Sequence, residues 1–239
     1  MRKAFCVLLL LPFLAAAQDK NVISYNRVFP KLDKVQQFEK ALTAHAQKFH
    51  KGDVKWRVAS IESGPDAGGY LVIEGPTSWE TMDKRGNLGT EHTNDWERNV
   101  MPLLVDKFQS GYMVYRPDLS TVQLTQFSDK TVINHVFYKP GYLEESETML
   151  KNFKKAWETG EQTIAVYEAS ASGAPQFVIV TRYKEGLKER TTGFLKPMKE
   201  RYESANGSGS WSNYQTFLRN AIEHSWSEMT FHRKDLSSN

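Results

Sequence analysis

Hydrophobic and polar residues alternate in the same order twice along this chain. Segment 21–30 is rich in β-branched and aromatic residues and ends at a proline, which predicts a β-strand. Apolar residues then recur at helical spacings as far as Phe49, which predicts an amphipathic helix. A similar strand and helix start at Thr131 and extend to about Trp157. The matched positions are Val22 with Val132, Ile23 with Ile133 and Pro30 with Pro140.

The first copy continues with a predicted hairpin formed by Val54–Ile61 and Tyr70–Glu74 around a glycine-rich turn. Thr77-Ser-Trp-Glu matches a capping box, with Thr77 as the N-cap of a short helix. A long helix is predicted from Glu91, with a kink or break at a proline. Its apolar face carries Trp96, Val100, Leu103, Leu104 and Phe108, and the proline is Pro102.

The last strand of the first copy is predicted at Tyr112–Arg116. The second copy repeats the hairpin, a helix and a closing strand, predicted at Thr163–Ala169, Gln176–Thr181, Trp211–Ile222 and Ser227–Arg233. The copies are about 110 residues apart, which is the size of a domain and too long for a solenoid repeat. The sequence therefore predicts two units, residues 18–120 and 130–239, joined by a linker at 121–129.

Each unit has the order β-α-β-β-α-β, which is the ferredoxin-like arrangement with two helices on one face of an antiparallel sheet. The other sheet face would be bare, and two such sheets can cover each other. The predicted fold class is therefore α+β, with two tandem ferredoxin-like units that form an intramolecular, pseudo-dimeric α/β barrel.

This order of elements, with its strand-proline-helix start, resembles the dimeric α/β-barrel superfamily. That superfamily includes small monooxygenase-like, EthD-like, NIPSNAP-like and stress-responsive barrel proteins. The resemblance implies a small-molecule cavity between sheet and helices, and pairing that is internal here, so that a monomer is expected. No motif selects one subfamily, and a shared fold does not select a substrate.

The first 17 residues have the pattern of a secretory signal peptide, with a basic start, an apolar core from Phe5 to Leu14 and three alanines before Gln18. We therefore expect an exported protein, periplasmic or extracellular, without stable membrane insertion. The only cysteine, Cys6, lies in this segment, which excludes disulfides and thiol chemistry in the mature chain. Without Arg2 and Lys3, 29 basic residues stand against 28 acidic ones, so nothing favours nucleic acid as a partner.

Unusual polarity marks the first predicted strand. Tyr25 and Arg27 alternate with Ser24 and Asn26, so they point to one side of the sheet. They can orient a polar ligand there, together with His135, which matches Tyr25 in the second copy. The alternative is that Arg27 forms a structural salt bridge, for example with Glu74, and Glu74 is also included among the candidate ligand-binding residues.

His45 lies close to the apolar face of the first helix, and the matching position is Ala156. It is either a ligand or proton shuttle, or a buried histidine with one hydrogen-bond partner. His92 is interpreted as part of a helix start, and His50 has no histidine or carboxylate at ligand spacing. Because no metal, dinucleotide or nucleophile motif is present, we expect neither a metal nor a cofactor.

Three hypotheses remain from the sequence. The first is an exported barrel that binds a small apolar or aromatic molecule. The second is a cofactor-independent monooxygenase-like or isomerase-like enzyme in which Tyr25, Arg27, His45 or His135 handles protons. The third is a structural pseudo-dimer without a ligand cavity. A cavity that contacts at least two of those polar side chains would favour the enzyme.

Overall fold

Eight strands close into an antiparallel barrel in the part of the chain that this computed structural model describes, residues 20–86 and 88–238. The predicted leader and Cys6 lie outside the described residues. The strands are β1 (Val22–Pro30), β2 (Trp56–Ile61), β3 (Tyr70–Thr77), β4 (Leu104–Tyr115), β5 (Lys130–Tyr138), β6 (Ile164–Ser170), β7 (Gln176–Arg182) and β8 (Ile222–His232).

Helices cover the outside of the barrel. None of them, within the described ranges, has both the length and the apolar character of a membrane-spanning helix. They are α1 (Val35–Phe49), α2 (Trp79–Arg85), α3 (Thr90–Asp95), α4 (Leu143–Glu158), α5 (Met198–Asn206) and α6 (Ser210–Ala221).

The strand order around the barrel is β1-β3-β2-β8-β5-β7-β6-β4. Hydrogen bonding between β2 and β8 and between β4 and β6 closes the ring, so each strand has two neighbours. The predicted α+β class with a closed barrel is therefore confirmed.

Side-chain alternation divides the core into layers. On β2, Trp56 and Val58 face outward and pack with Phe38 and Leu42 of α1, whereas Ala59 and Ile61 point into the barrel. An equivalent outer cluster lies between α4 and the strands β5, β6 and β7. The inner cluster combines residues from both halves of the chain. The two predicted units thus share one core.

The segment predicted as a linker, 121–129, is part of that core. Val122 and Leu124 are buried in the inner cluster. Tyr115 donates a hydrogen bond from its hydroxyl to the Val122 carbonyl. The connection therefore packs against the barrel interior.

The long helix predicted from Glu91 is wrong beyond Leu103. After α3 the chain makes a π-helical turn at Trp96–Val100 and a 3₁₀ turn at Met101–Leu103, so the break at Pro102 is confirmed. Strand β4 then begins at Leu104, and Phe108 is 62% exposed. Pairing with β1 along most of this segment outweighs its helical pattern.

Two element boundaries also differ from the prediction. Strand β3 continues through Thr77, and Ser78 is the N-cap of α2, accepting a hydrogen bond from the Thr81 amide. Strand β8 begins at Ile222, which was predicted as the last apolar residue of a helix. In both cases sheet pairing extends the strand into residues that the pattern gave to another element.

Leu42→Ala tests the packing of α1 on the sheet. Leu42 is fully buried, so the substitution should lower the free energy of unfolding by about 2–5 kcal/mol. Leu32→Ala is the control, because Leu32 is 96% exposed. Urea unfolding of both variants measures this, and equal losses would contradict the packing described.

Candidate functional site

A cavity of about 110 Å³ lies inside the barrel. Side chains alternate along β1, so Ile23, Tyr25 and Arg27 point into the barrel. The neighbouring strands line the cavity with their own inward-pointing residues. Engineered cavities of about 150 Å³ bind benzene, so this one has the size of a small molecule. Its apolar wall is formed mainly by Ile23, Leu71, Ile73, Met113, Ile133, Val178 and Val180.

Arg27 is 2% exposed and is neutralised by two carboxylates. Its guanidinium binds Glu228 through two hydrogen bonds of 2.5 and 2.7 Å, and Asp66 through one of 3.0 Å. A buried charge requires such partners. Burial opposes the charged form of Glu228, but hydrogen bonds from Arg27 and His135 hold its pKa below the ordinary value. The group is therefore an ion pair within the barrel.

His135 belongs to the same group. Its Nε2 lies 3.3 Å from Glu228 Oε1 and 3.4 Å from Arg27 Nη2, and its Nδ1 lies 3.1 Å from Gln176 Oε1. Its ring stacks on Trp226 at 3.8 Å between centroids. Both ring nitrogens are thus engaged by neighbours.

Tyr25 lies beside this group with its ring buried. Burial, and to a smaller extent the Glu228 carboxylate, raises the pKa of Tyr25 against the opposing effect of Arg27, so the phenol is neutral at ordinary pH. Gly111 gives its hydroxyl room, because a Cβ there would lie 2.7 Å from the hydroxyl oxygen. Tyr25, Arg27 and His135, three predicted candidates, therefore meet at one cavity.

A second polar group on the cavity wall was missed in the sequence. Arg57 and Arg182 lie 3.7 and 5.2 Å from the centre of the Phe127 ring, measured from each guanidinium carbon. Burial and the charge of Arg182 lower the pKa of Arg57. Arg57 Nη1 approaches the His232 ring at 3.2 Å.

The two arginines differ in their remaining partners. Arg182 donates from Nη1 to the carbonyls of Gln123, Leu124 and Gln126, and from Nη2 to the Tyr167 hydroxyl at 2.7 Å. Within residues 20–86 and 88–238, neither guanidinium forms an ion pair with a carboxylate. The Asp129 carboxylate lies on the same cavity wall and partly offsets the lowering of the Arg57 pKa, so this wall carries two arginines and one nearby carboxylate.

Glu74 faces away from the cavity. It pairs across the sheet with Ser24, so its side chain lies on the opposite face of the sheet from Arg27. The alternative of a salt bridge at Arg27 is confirmed, but the partners are Glu228 and Asp66, and Glu74 as the example partner is wrong. Glu74 Oε2 accepts a hydrogen bond from Trp56 Nε1 at 3.1 Å and lies 3.6 Å from His50 Nδ1. It therefore belongs to the layer between the sheet and α1.

His45 lies in that outer layer, fully buried. Its Nδ1 is 2.7 Å from Asp95 Oδ2, and its Nε2 has no hydrogen-bond partner among the described residues. Burial lowers the pKa of His45 despite Asp95, and burial likewise lowers the pKa of His50 despite Glu74. Both imidazoles are thus neutral at neutral pH.

His45, His50 and His92 come together in space, with one nitrogen from each ring all within 4.8 Å of one another. The sequence did not reveal this cluster, because His50 has no histidine or carboxylate at a recognised ligand spacing. A five-residue step from α1 and a distant residue on α3 do not form a recognised ligand motif.

Replacement of the buried ion pair tests the polar group of the barrel. Arg27→Met should lower the free energy of unfolding by about 3–5 kcal/mol, because it leaves the buried Glu228 carboxylate without its guanidinium partner. Glu228→Leu should lower it by less, because Arg27 keeps its ion pair with Asp66. The double variant should lose less than the sum of the two. Asp53→Asn, in an exposed pair with Lys20, is the control and should have no measurable effect.

The same pair should make stability depend on pH. The folded-state pKa of Glu228 is lowered, so its stabilisation is complete above the unfolded-state pKa of about 4.3 and is lost as the pH falls toward the folded value. Urea unfolding as a function of pH measures this. A strictly additive double variant, or an unchanged acid profile in Glu228→Leu, would contradict the pairing.

No protein-family model matches the sequence, and no curated protein matches it. Solved structures of similar shape cover nearly the whole chain. A proposed monooxygenase of Fusobacterium nucleatum has 13% identity and a TM-score of 0.54, covering 89% of this chain and 92% of its own. An anthrone oxidase-like protein gives the same identity and TM-score, with coverage of 90% and 92%.

A mutant chlorite dismutase of Candidatus Nitrospira defluvii has 8% identity and a TM-score of 0.52, covering 87% of this chain and 91% of its own. Identities this low establish shape and carry no information about activity. The chain shares the overall α+β fold of these proteins, with the closed eight-stranded barrel described above.

Proposed function

We propose that the protein binds a small organic anion, an aromatic or otherwise apolar carboxylate, inside the barrel. The observation that carries this is the pairing of an apolar-walled cavity with two arginines, Arg57 and Arg182, that have no carboxylate partner among the described residues. A ligand carboxylate would neutralise this wall, and the apolar wall would hold the ligand body.

Arg57 is the residue assigned to the ligand. Arg27 already has Glu228 and Asp66, and Arg182 is held by backbone carbonyls and Tyr167. A guanidinium has five N–H donors, and within the described part of the chain the side-chain hydrogen bonds of Arg57 go from Nη1 to the His232 ring. Arg57 thus offers free donors, and Arg182 adds charge.

The cavity dimensions limit the ligand. About 110 Å³ is somewhat smaller than the roughly 150 Å³ cavity that binds benzene and well below the roughly 300–1,000 Å³ of pockets for drug-sized molecules, so one ring is the upper limit. Phe127, over which both guanidinium groups lie, supplies an aromatic face beside the charge. The ligand therefore belongs to the class of single-ring acids or short-chain acids of similar size.

A cofactor-independent monooxygenase-like activity is the second candidate. Tyr25 and His135 both line the cavity, and proteins of the same fold are named as monooxygenase or oxidase-like. Both nitrogens of His135 are occupied by Glu228, Arg27 and Gln176, which leaves no free base at that residue. Binding is therefore preferred over catalysis.

We further propose that the barrel is a tandem pair of β-α-β-β-α-β units and that the protein is exported after removal of residues 1–17. The support is the matched strand-proline-helix starts and the leader-like composition. Mass spectrometry of protein from the exported fraction should find a chain that begins at Gln18. Absence of the protein from the exported fraction would contradict export, and recovery of only the full-length chain there would contradict removal of residues 1–17.

Ligand binding is tested with benzoate and phenylacetate, and with their uncharged amides as matched controls. The acids should raise the melting temperature and bind in calorimetric titrations, and the amides should bind much more weakly. Arg57→Met should weaken binding about 10–100-fold, since hydrogen bonds to charged groups contribute about 1.5–3 kcal/mol. Lys55→Met removes one exposed charge outside the cavity and should change little.

Equal binding of acids and amides, or an unchanged affinity in Arg57→Met, would contradict the proposal. Circular dichroism of each variant separates loss of binding from loss of fold.

A further inference from the structure

We propose that His45, His50 and His92 form a binding site for a divalent transition-metal ion of the zinc class, on the outer face of the first half of the barrel. His45 comes from α1, His50 from the residue that follows α1, and His92 from α3. The site is independent of the barrel cavity and of the ligand proposed for it.

The nitrogen positions suit a metal ion. His50 Nε2 and His92 Nε2 are 3.3 Å apart. Tetrahedral zinc with Zn–N bonds of about 2.0–2.1 Å holds its nitrogen ligands about 3.3 Å from each other. One nitrogen from each of the three rings lies within 4.8 Å of the other two, so small side-chain movements would bring all three to metal-binding distance.

His45 provides an independent observation. Its side chain is fully buried, and its Nε2 has no hydrogen-bond partner in the described part of the chain. Leaving a buried polar atom unpaired costs about 1–3 kcal/mol. A metal ion bound to Nε2 would remove that cost.

The groups behind the rings also have the arrangement of a metal site. His45 Nδ1 is 2.7 Å from Asp95 Oδ2, and Asp95 in turn accepts a hydrogen bond of 2.8 Å from Asn99. His50 Nδ1 is 3.2 Å from the Val54 carbonyl. Hydrogen bonds at Nδ1 fix the tautomer that leaves the Nε2 lone pair free for a metal.

An alternative is that the histidines only extend an aromatic cluster. Trp56 stacks on His50 with 3.4 Å between ring centres, and Trp96 meets His45 edge-on at 5.2 Å. Stacking does not explain the unpaired Nε2 of His45, and two tryptophans also form the apolar surroundings that metal sites commonly have. The matching residue on α4, Ala156, shows that this layer packs without imidazole.

The ligand set selects the metal. Three imidazoles without a thiolate suit Zn²⁺, and also Cu²⁺, Ni²⁺ and Co²⁺. Three protein ligands leave a fourth position for water or an anion. Glu74 lies behind His50, near Nδ1, so it is assigned to ring orientation and not to the metal.

The test uses the untagged mature protein after dialysis against a chelator. Calorimetric titration with Zn²⁺ should give one ion per chain, and Co²⁺ should give the intense visible absorption of a tetrahedral site. His45→Ala should weaken Zn²⁺ binding at least 100-fold. Asp95→Asn should weaken it about 10–100-fold, as expected for a residue that orients a ligand.

His224→Ala is the matched control, because His224 is exposed and lies on β8. His92→Gln is a second ligand variant at a half-buried position, and it keeps the test decisive if His45→Ala does not fold. Absence of stoichiometric binding, or the same affinity in His92→Gln and His224→Ala, would overturn the proposal. Benzoate is absent from these titrations, so the result does not depend on the cavity.

Discussion

Closure of the eight-stranded ring is the constraint on which the rest of the structure depends. A closed ring gives every strand two hydrogen-bonded neighbours and two buried faces. Each strand must therefore satisfy both an inner core and an outer layer of helices. Both candidate sites follow from this alternation. Inward-pointing side chains of the strands meet inside the barrel, and outward-pointing side chains meet beneath the helices.

The interior of so small a barrel is an unusual place for charge. Arg27 and Glu228 come from strands far apart in the sequence and are fully desolvated together. Such a pair contributes little net stability compared with apolar packing, but loss of one member is costly. Arg57 and Arg182 also lie on the cavity wall but form no ion pair among the described residues, and Asp129 offsets only part of their charge, so positive charge is concentrated on that side.

Much of the fold could be predicted from the sequence. The strands β1 and β5 and the helices α1 and α4 follow from local periodicity, and the hairpins follow from glycine-rich turns. The segment 104–108 could not be assigned correctly, because its helical pattern competes with a pairing to β1 that only the folded chain reveals.

The site was predictable to a similar degree. Strand alternation placed Tyr25 and Arg27 on one face, and the internal match to Tyr25 pointed to His135. The position of Glu74 could not be predicted, because it depends on the register of β3 against β1, which the sequence does not define. The cluster of His45, His50 and His92 could not be predicted either, because it depends on how α1 and α3 pack together and not on the spacing of the histidines in the sequence.

The two halves of the chain are joined in the barrel by the pairing of β2 with β8 and of β4 with β6, and the length of these seams affects local opening of the barrel. Pairing of β2 with β8 covers Ala59 to Ile61, with flanking backbone hydrogen bonds at Val58 and Glu62, whereas pairing of β5 with β8 extends over most of both strands. Local opening of a folded protein occurs where the fewest backbone hydrogen bonds must break. Amide protons at this short seam should therefore exchange with solvent sooner than those of β5, and breathing there gives small molecules a route to the barrel interior.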